Sequence, residues 1–486
     1  MSRTPYSESH EYLRSLISSS GKSRTFSELL EYGKLIAELH QWCTTSLSER
    51  HLVEVAASLK AELTISGNEM DQLGIPVDLL PCFPDWEKGS REGFSPPPSR
   101  FHLPKIGAAK KLCFLRLQLS PFSPTLSAAL LLIRRLIETL DETVRFSIAV
   151  EPGGNLEALH QIISEFGENV GERVSLVELQ TTSVFAQDNA RGARSQHDTP
   201  LLLVPRGFRQ ERERAREALH HQLTPQNFEL PIGYSSLYWE GGNIVNDTHG
   251  CFIGVDHIRE NMVRLGLTKD EVIALFQSEF GEHIEFMGSF EDTDYHPGDF
   301  RPYSSGQASF HIDLDLHVLG QLDKNEPPVA LLASPEIGLQ FSESILSLRK
   351  LVHDHFLTEE HAREHISFEY HSYAEERHER LKTYRKALET RGYRVVEVPD
   401  LRIDPRDNLF STRNLDFIYC NVLSGNHRGS PTIFYLPYAV DQLDKRAEQS
   451  YREAGCNVVK VSQTGRLANL LMLFNGGLRC ACSQIY

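Results

Sequence analysis

The sequence has no CxxC pair, no long hydrophobic run and no excess of basic residues, and each lack closes off a class of protein. Its 8 cysteines are scattered over 486 residues. In a chain of this length that favours reduced thiols and a cytoplasmic setting over a disulfide framework. With no HExxH and no cysteine-rich partner segment, nothing in it spells a structural zinc site. The longest apolar stretch, Leu126–Ile133, is followed by Arg134 and Arg135 and is far too short to span a bilayer. The opening residues, MSRTPYSESHEYLRSL, contain no apolar signal-peptide core. Lys and Arg number 50 against 66 Asp and Glu, a formal net charge of −16. A field of that sign repels phosphate backbones and anionic lipid, so neither nucleic acid nor a membrane surface is an expected partner. It attracts cationic small molecules and arginine-rich proteins, though weakly.

What is present is an ordinary globular composition, 40% hydrophobic and 24% charged, with ample chain for a large core. Residues 1–100 read as a helical N-terminal region: Phe26–Leu39 and Arg50–Leu63 carry apolar residues at helical spacing. A Gly/Ser/Pro-rich loop from Trp86 to Arg100 marks its boundary. From about Leu103 one unit recurs, a strand, a helix, then a strand announced by a small or polar turn. The spacing predicts strands at Leu112–Leu119, Val144–Val150, Arg173–Leu179, His283–Phe286, Tyr393–Val398 and Asn457–Val461. It predicts helices over Pro124–Leu140, Leu156–Phe166, Lys269–Phe280, a stretch ending near Thr390, and Asp441–Ala454. This grammar argues for an internally repeated α/β architecture, with an ordinary doubly wound sheet as the alternative. The charged, His-rich stretch Ser342–Arg391 reads as one or two exposed helices inserted before the last repeat.

Four separated segments carry candidate chemistry: FAQDNAR at Phe185–Arg191, YWEGGNIVN at Tyr238–Asn246, FHIDLDLH at Phe310–His317, and NGGLRCACSQ at Asn475–Gln484. Singly, each has a bland reading. A GG pair is most often a tight turn, and a cysteine near a C-terminus is most often a small buried hydrophobe. Read as a strand, FHIDLDLH puts His311, Asp313, Asp315 and His317 on one face, which is a site, a solvated face, or a set of zinc or manganese ligands.

Taken in order, the four segments resemble the agmatine deiminase, arginine deiminase and amidinotransferase families of the guanidino-group-modifying (pentein) superfamily. The pattern in those families is an Asp after a strand, then EGG, then HxD, then a C-terminal GGxxC. Here it reads as Asp188, Glu240 with Asn243, His311 with Asp313, and Cys480. The segment around Asn421 (YCNVL), IFYLPY and GCNVVKV follow in much the order of the last repeat of those deiminases. The resemblance covers roughly residues 104–486. It implies an α/β fold, a five-fold pseudo-symmetric propeller of ββαβ units around a central site, with the helical N-terminal region as an extension. It also implies a guanidino substrate, which is agmatine, arginine or an arginine side chain of a protein. Cys480, His311 and Glu240 are then catalytic, and Asp188, Asp313 and Asn243 bind substrate.

These residue types suit the chemistry. A guanidinium is planar, cationic and rich in donors, so the carboxylates of Asp188 and Asp313 can grip it with charge-assisted bonds. Its central carbon is a poor electrophile, and a thiolate is the side chain best able to attack it. The bound cation and a neighbouring histidine would lower the thiol pKa. His311 can protonate the departing amine and then activate water, with Glu240 orienting it. No cofactor or divalent ion is expected, because the substrate is itself the cation. Hydrolysis to a ureido product leads this reading; an amidinotransferase is the alternative, a dihydrolase the third, and a silent pentein used as a binding module the alternative outside catalysis. Gln187 stands where an Arg commonly precedes the Asp, and Asn243 where arginine deiminases usually carry a second Asp. Arg191, Arg194, Arg301 and Arg479 could hold a substrate carboxylate, but none sits in a specific motif. Cys482 is the alternative nucleophile. The N-terminal region and the 342–391 stretch exceed what a small-molecule enzyme needs, and their size suits a lid, a homodimer contact or a docking surface for a protein substrate.

Overall fold

The computed structural model describes residues from Phe101 to Ile485 apart from internal segments, the longest being 207–231, 291–305, 342–374 and 404–414. The helical region expected over residues 1–100, its boundary loop, and most of the stretch expected from Ser342 lie outside the described residues.

The strands form five small sheets among the described residues. A two-residue strand β1 (Phe101–His102) joins one of them. The next, β2 (Phe114–Leu119), pairs in parallel with β3 (Arg145–Val150), which pairs in parallel with β4 (Val174–Glu178). A second sheet has β5 (Arg191–Ser195), β6 (Pro200–Arg206) and β7 (Ile232–Tyr238) beside β1. A third has β8 (Ile244–Asn246), β9 (Cys251–Gly254) and β10 (Ile284–Met287). A fourth runs β11 (Leu316–Gly320), β12 (Val329–Ser334), β13 (Arg394–Ile403) and β14 (Leu415–Ile418). The last has β15 (Leu423–His427), β16 (Ser430–Tyr435) and β17 (Asn457–Lys460). Strand β18 (Ser483–Ile485) returns to the first sheet and pairs antiparallel with β2.

One pairing rule is common to all five. Each sheet has an inner strand that is antiparallel to one neighbour and parallel to the other: β2 between β18 and β3, β6 between β5 and β7, β9 between β8 and β10, β12 between β11 and β13, β16 between β15 and β17. An antiparallel neighbour needs only a short turn, whereas a parallel one needs a crossover. Among the described residues, helices supply the crossovers. They are α1 (Ser123–Thr139) between β2 and β3; α2 (Leu156–Glu165) and α3 (Glu168–Gly171) between β3 and β4; α5 (Val255–Leu265) and α6 (Lys269–Phe280) between β9 and β10; α7 (Pro335–Leu339) and α8 (Glu375–Thr390) between β12 and β13; and α9 (Asp441–Glu453) between β16 and β17. The single turn α4 (Ala186–Asn189) precedes β5.

Local sequence accounts for these elements. Helix α1 buries Leu132, Ile133, Leu136 and Ile137 along one stripe. Helix α6 begins with a capping box between Thr268 and Glu271, and stops at Gly281, whose φ of 99° suits glycine. Helix α8 differs from the exposed helix expected there. Arg377, Leu381, Tyr384 and Leu388 are buried, so its inner face belongs to the core. Because β18 closes onto β2, the chain near Cys480 returns to the sheet of β2, β3 and β4.

Candidate active site

Two glycine pairs decide how the site is assembled. Gly476 lies against the Phe185 ring and Gly477 against Asn421; a Cβ on either would come within 2.2 Å and 2.5 Å of them. The chain after Gly477 is a turn, and Asn421 clamps it. Asn421 Oδ1 accepts from the backbone N–H of Arg479 (2.8 Å) and of Cys480 (3.3 Å), while Nδ2 donates to Cys480 Sγ (3.1 Å). The carbonyl of Cys480 accepts from the Gln187 N–H of α4 at 3.1 Å. Gln187 Nε2 in turn donates to Gly241 O at 2.9 Å, tying α4 to the EGG turn. Gly242 packs so closely that a Cβ there would sit 2.4 Å from His311 Nδ1 and 3.1 Å from Asp313 Oδ1. Only glycine lets the two turns approach so closely.

The HxD segment is a 3-10 turn, Ile312–Leu314, and not the strand the alternation of polar residues implied. Asn243 makes it so. Its Oδ1 accepts from the Ile312 N–H (3.0 Å) and from Gln307 Nε2 (2.9 Å), and its Nδ2 donates to Phe310 O (3.1 Å). Asn243, expected to bind substrate, has its amide engaged in shaping the turn. The turn also separates the four side chains that a strand would have aligned. His311 and Asp313 come to Cys480. Asp315 instead receives Arg377 (2.6 Å), Arg402 (3.0 Å) and Ser309 Oγ (2.6 Å), and Asp400 binds both arginines. His317 points to Ser424 Oγ (2.9 Å) and Arg479 Nη1 (3.0 Å). Among the described residues no group of three or more His, Cys, Asp or Glu side chains is placed to hold a metal ion.

His311 Nε2 donates to Glu240 Oε2 at 2.7 Å, and the imidazole also hydrogen-bonds the Cys480 thiol. Burial alone would push the imidazole pKa down. The bonds to Cys480 and Glu240, with the charges of Asp188 and Glu240, outweigh burial and hold it well above its ordinary value. Burial and the Asp313 charge push the Cys480 thiol up to about 11, against the pull of His311. Both shifts favour the thiol form of Cys480 and the protonated form of His311. Asp313 is fully buried, and burial raises its pKa against the charges of Arg479 and His311 and a hydrogen bond from Gln187. Asp188, half-buried on α4, is near enough for its charge to act on both His311 and Cys480.

The structure thus brings Cys480, His311, Glu240, Asp313 and Asp188 together from four segments. Cys482, just before β18, is buried with its thiol pushed well above the ordinary range by desolvation. Arg191 is buried against Ile244 O (2.8 Å) and Asn246, and Arg479 is held below Asp313, so both are built into the framework. Arg194 lies in β5, and Arg301 falls outside the described residues. The clamping roles of Asn421, Gln187 and Asn243 were not legible beforehand. The only advance signal was that each sits in or beside a motif.

No known family profile matches the sequence, and no curated protein does. Solved structures do. A candidate arginine deiminase of Porphyromonas gingivalis matches 79% of this chain and 98% of its own at 13% identity, TM-score 0.50. A candidate peptidyl-arginine deiminase matches 80% and 99% at 14% identity, and a candidate agmatine deiminase 79% and 95% at 13%, both with TM-score 0.50. At such identity the likeness establishes the fold: the chain has the mixed α/β pentein fold of these proteins.

Proposed function

We propose that the protein is a guanidino-group deiminase working through a covalent adduct on Cys480, and that its five sheets are pseudo-symmetric ββαβ units of one propeller with the site at its centre. The observation that supports this most is the meeting of a thiol, a carboxylate-held imidazole and a fully buried carboxylate with unfilled acceptor positions. A generic cysteine hydrolase needs the first two but has no use for the third.

The guanidinium of agmatine, arginine or an arginyl side chain binds with its N–H groups on Asp313 and Asp188. Its positive charge opposes the effect that raises the Cys480 pKa, and the thiol proton leaves to solvent. The thiolate forms a C–S bond to the guanidinium carbon. His311 gives its Nδ1 proton to the departing nitrogen, ammonia leaves as the C–N bond breaks, and an S-alkylthiouronium cation remains. Neutral His311 then takes a proton from water, whose oxygen adds to the same carbon. The C–S bond breaks, the hydroxyl proton passes to sulfur, and the ureido product departs with the thiol and imidazolium restored. Glu240 accepts from Nε2 throughout, fixing the ring so that Nδ1 faces sulfur.

The test is to incubate the protein with agmatine, arginine and an arginyl peptide, with and without an amine acceptor. Ureido product and ammonia in equal amounts support the reading; amidino transfer to the acceptor replaces it with a transferase; no turnover of any guanidino compound defeats it.

A further inference from the structure

Asp313 poses an electrostatic problem that the reaction does not solve. It is fully buried, and the one side-chain hydrogen bond offered to it comes from the neutral amide of Gln187. A buried carboxylate in that condition ordinarily takes up a proton, and as a neutral acid it would be useless for gripping a cation. We propose that Arg479 is a positioning residue that keeps Asp313 charged while leaving its oxygens for the substrate, an inference that rests on reading Asp313 as part of the cation grip.

Arg479 Nε lies 3.7 Å from Asp313 Oδ2, near enough to act by charge and too far to fill the acceptor with a hydrogen bond. The guanidinium is held at that distance from its other side. Nη1 meets His317 Nδ1 at 3.0 Å, and Nη2 donates to Ile244 O at 3.5 Å. A guanidinium can only donate, so Nδ1 of His317 must carry the lone pair and its proton must sit on Nε2, donating to Ser424 Oγ at 2.9 Å. Burial and the charge of Arg479 both push the His317 pKa well down, which keeps this relay neutral. Both groups that tether Arg479 are therefore uncharged and leave its positive charge uncompensated. Arg377, by contrast, spends its charge on direct contacts with Asp315 and Asp400.

The other groups facing Asp313 cannot do the same work. His311, on the same turn, favours the carboxylate only while protonated, and it gives up its proton during turnover. Asp315 opposes the charge, Cys480 is pushed toward its neutral form, and Gln187 on α4 hydrogen-bonds the carboxylate but carries no charge. Arg191 on β5 also acts on Asp313 by charge, but more weakly than Arg479 and His311, and it is bound to Ile244 O and Asn246. Arg479 is the nearest permanent cation, and no step of the reaction removes its charge.

The experiment compares alkylation of Cys480 by chloroacetamidine, a cation resembling guanidinium, with alkylation by neutral iodoacetamide across mildly acid to mildly alkaline pH. The ratio of the two rates reports the grip and cancels changes in thiolate fraction. Wild type should favour the amidine. Arg479→Met and Arg479→Gln, the latter keeping a donor for His317, should lose roughly tenfold or more of that preference at neutral pH and regain it as pH rises. Arg479→Lys should retain most of it. A ratio unchanged in both neutral variants, or lowered equally at every pH, overturns the inference and leaves the proposed function standing. A wild type with no amidine preference removes the grip itself, and both readings fall.

Discussion

At the scale of single residues, Cys480 and Cys482 are close in sequence and unequal in surroundings. Cys480 Sγ receives Asn421 Nδ2 and bonds His311, whereas Cys482 is simply buried. Cys480→Ser is expected to lower turnover by several orders of magnitude with the fold intact, and Cys482→Ser to be mild. Activity assays beside near-UV circular dichroism check both, and the reverse order of effects would reassign the nucleophile. The carboxylates make a second residue-scale prediction. A hydrogen bond to a charged group is worth roughly 1.5–3 kcal/mol. Asp188→Asn or Asp313→Asn should therefore cost at least about tenfold in kcat/KM toward any guanidino substrate, since about 1.4 kcal/mol is a factor of ten. A third concerns pH. With the free thiol raised to about 11, alkylation by iodoacetamide should still be climbing well above neutrality. A bound guanidinium or amidinium places positive charge beside sulfur and favours the thiolate, so the midpoint should fall when a slow-reacting amidine occupies the site. A midpoint that stays put or rises contradicts substrate-assisted ionisation.

At the scale of elements, the turns rather than the strands and helices set the chemistry. Gly242 has no room for a side chain beside His311 and Asp313, while a Cβ at Gly171, the last residue of α3, would meet nothing within 4 Å. Gly242→Ala should abolish most activity and cost roughly 1–3 kcal/mol by overpacking, whereas Gly171→Ala should leave both thermal stability and activity close to wild type. Comparable losses in the two would show that the close approach of the turns is unimportant. The same contrast explains what the sequence made legible. The boundaries read for α1, α2, α6 and α9, and for β2, β3 and β17, agree with those observed to within a residue or two at most ends. Apolar periodicity is local and fixes such elements. The HxD segment was misread because its alternating polar residues mimic a strand, while the 3-10 turn is imposed by Asn243, 69 residues away from Ile312. Helix α8 was misread as exposed because the carboxylates that bury Arg377, Asp315 and Asp400, are remote in sequence. Local pattern cannot report a partner that only the fold supplies.

At the scale of the whole molecule, the site exists because the chain closes on itself. Strand β18 pairs with β2, Ser483 Oγ donates to Ala190 O at 2.7 Å, and the Cys480 turn is thereby held against α4 and Asn421. The motif residues come from α4, the EGG turn, the HxD turn and the last turn of the chain, so no piece of the fold carries a complete site. The central claim is that these parts form a covalent catalyst for guanidino groups. The most direct measurement is intact-protein mass spectrometry, followed by peptide mapping, on protein quenched in acid during incubation with agmatine, arginine and an arginyl peptide. The account predicts an added mass equal to the substrate less ammonia, located on Cys480, together with release of ureido product. Turnover of a guanidino compound with no adduct, or an adduct mapped to Cys482, would contradict it.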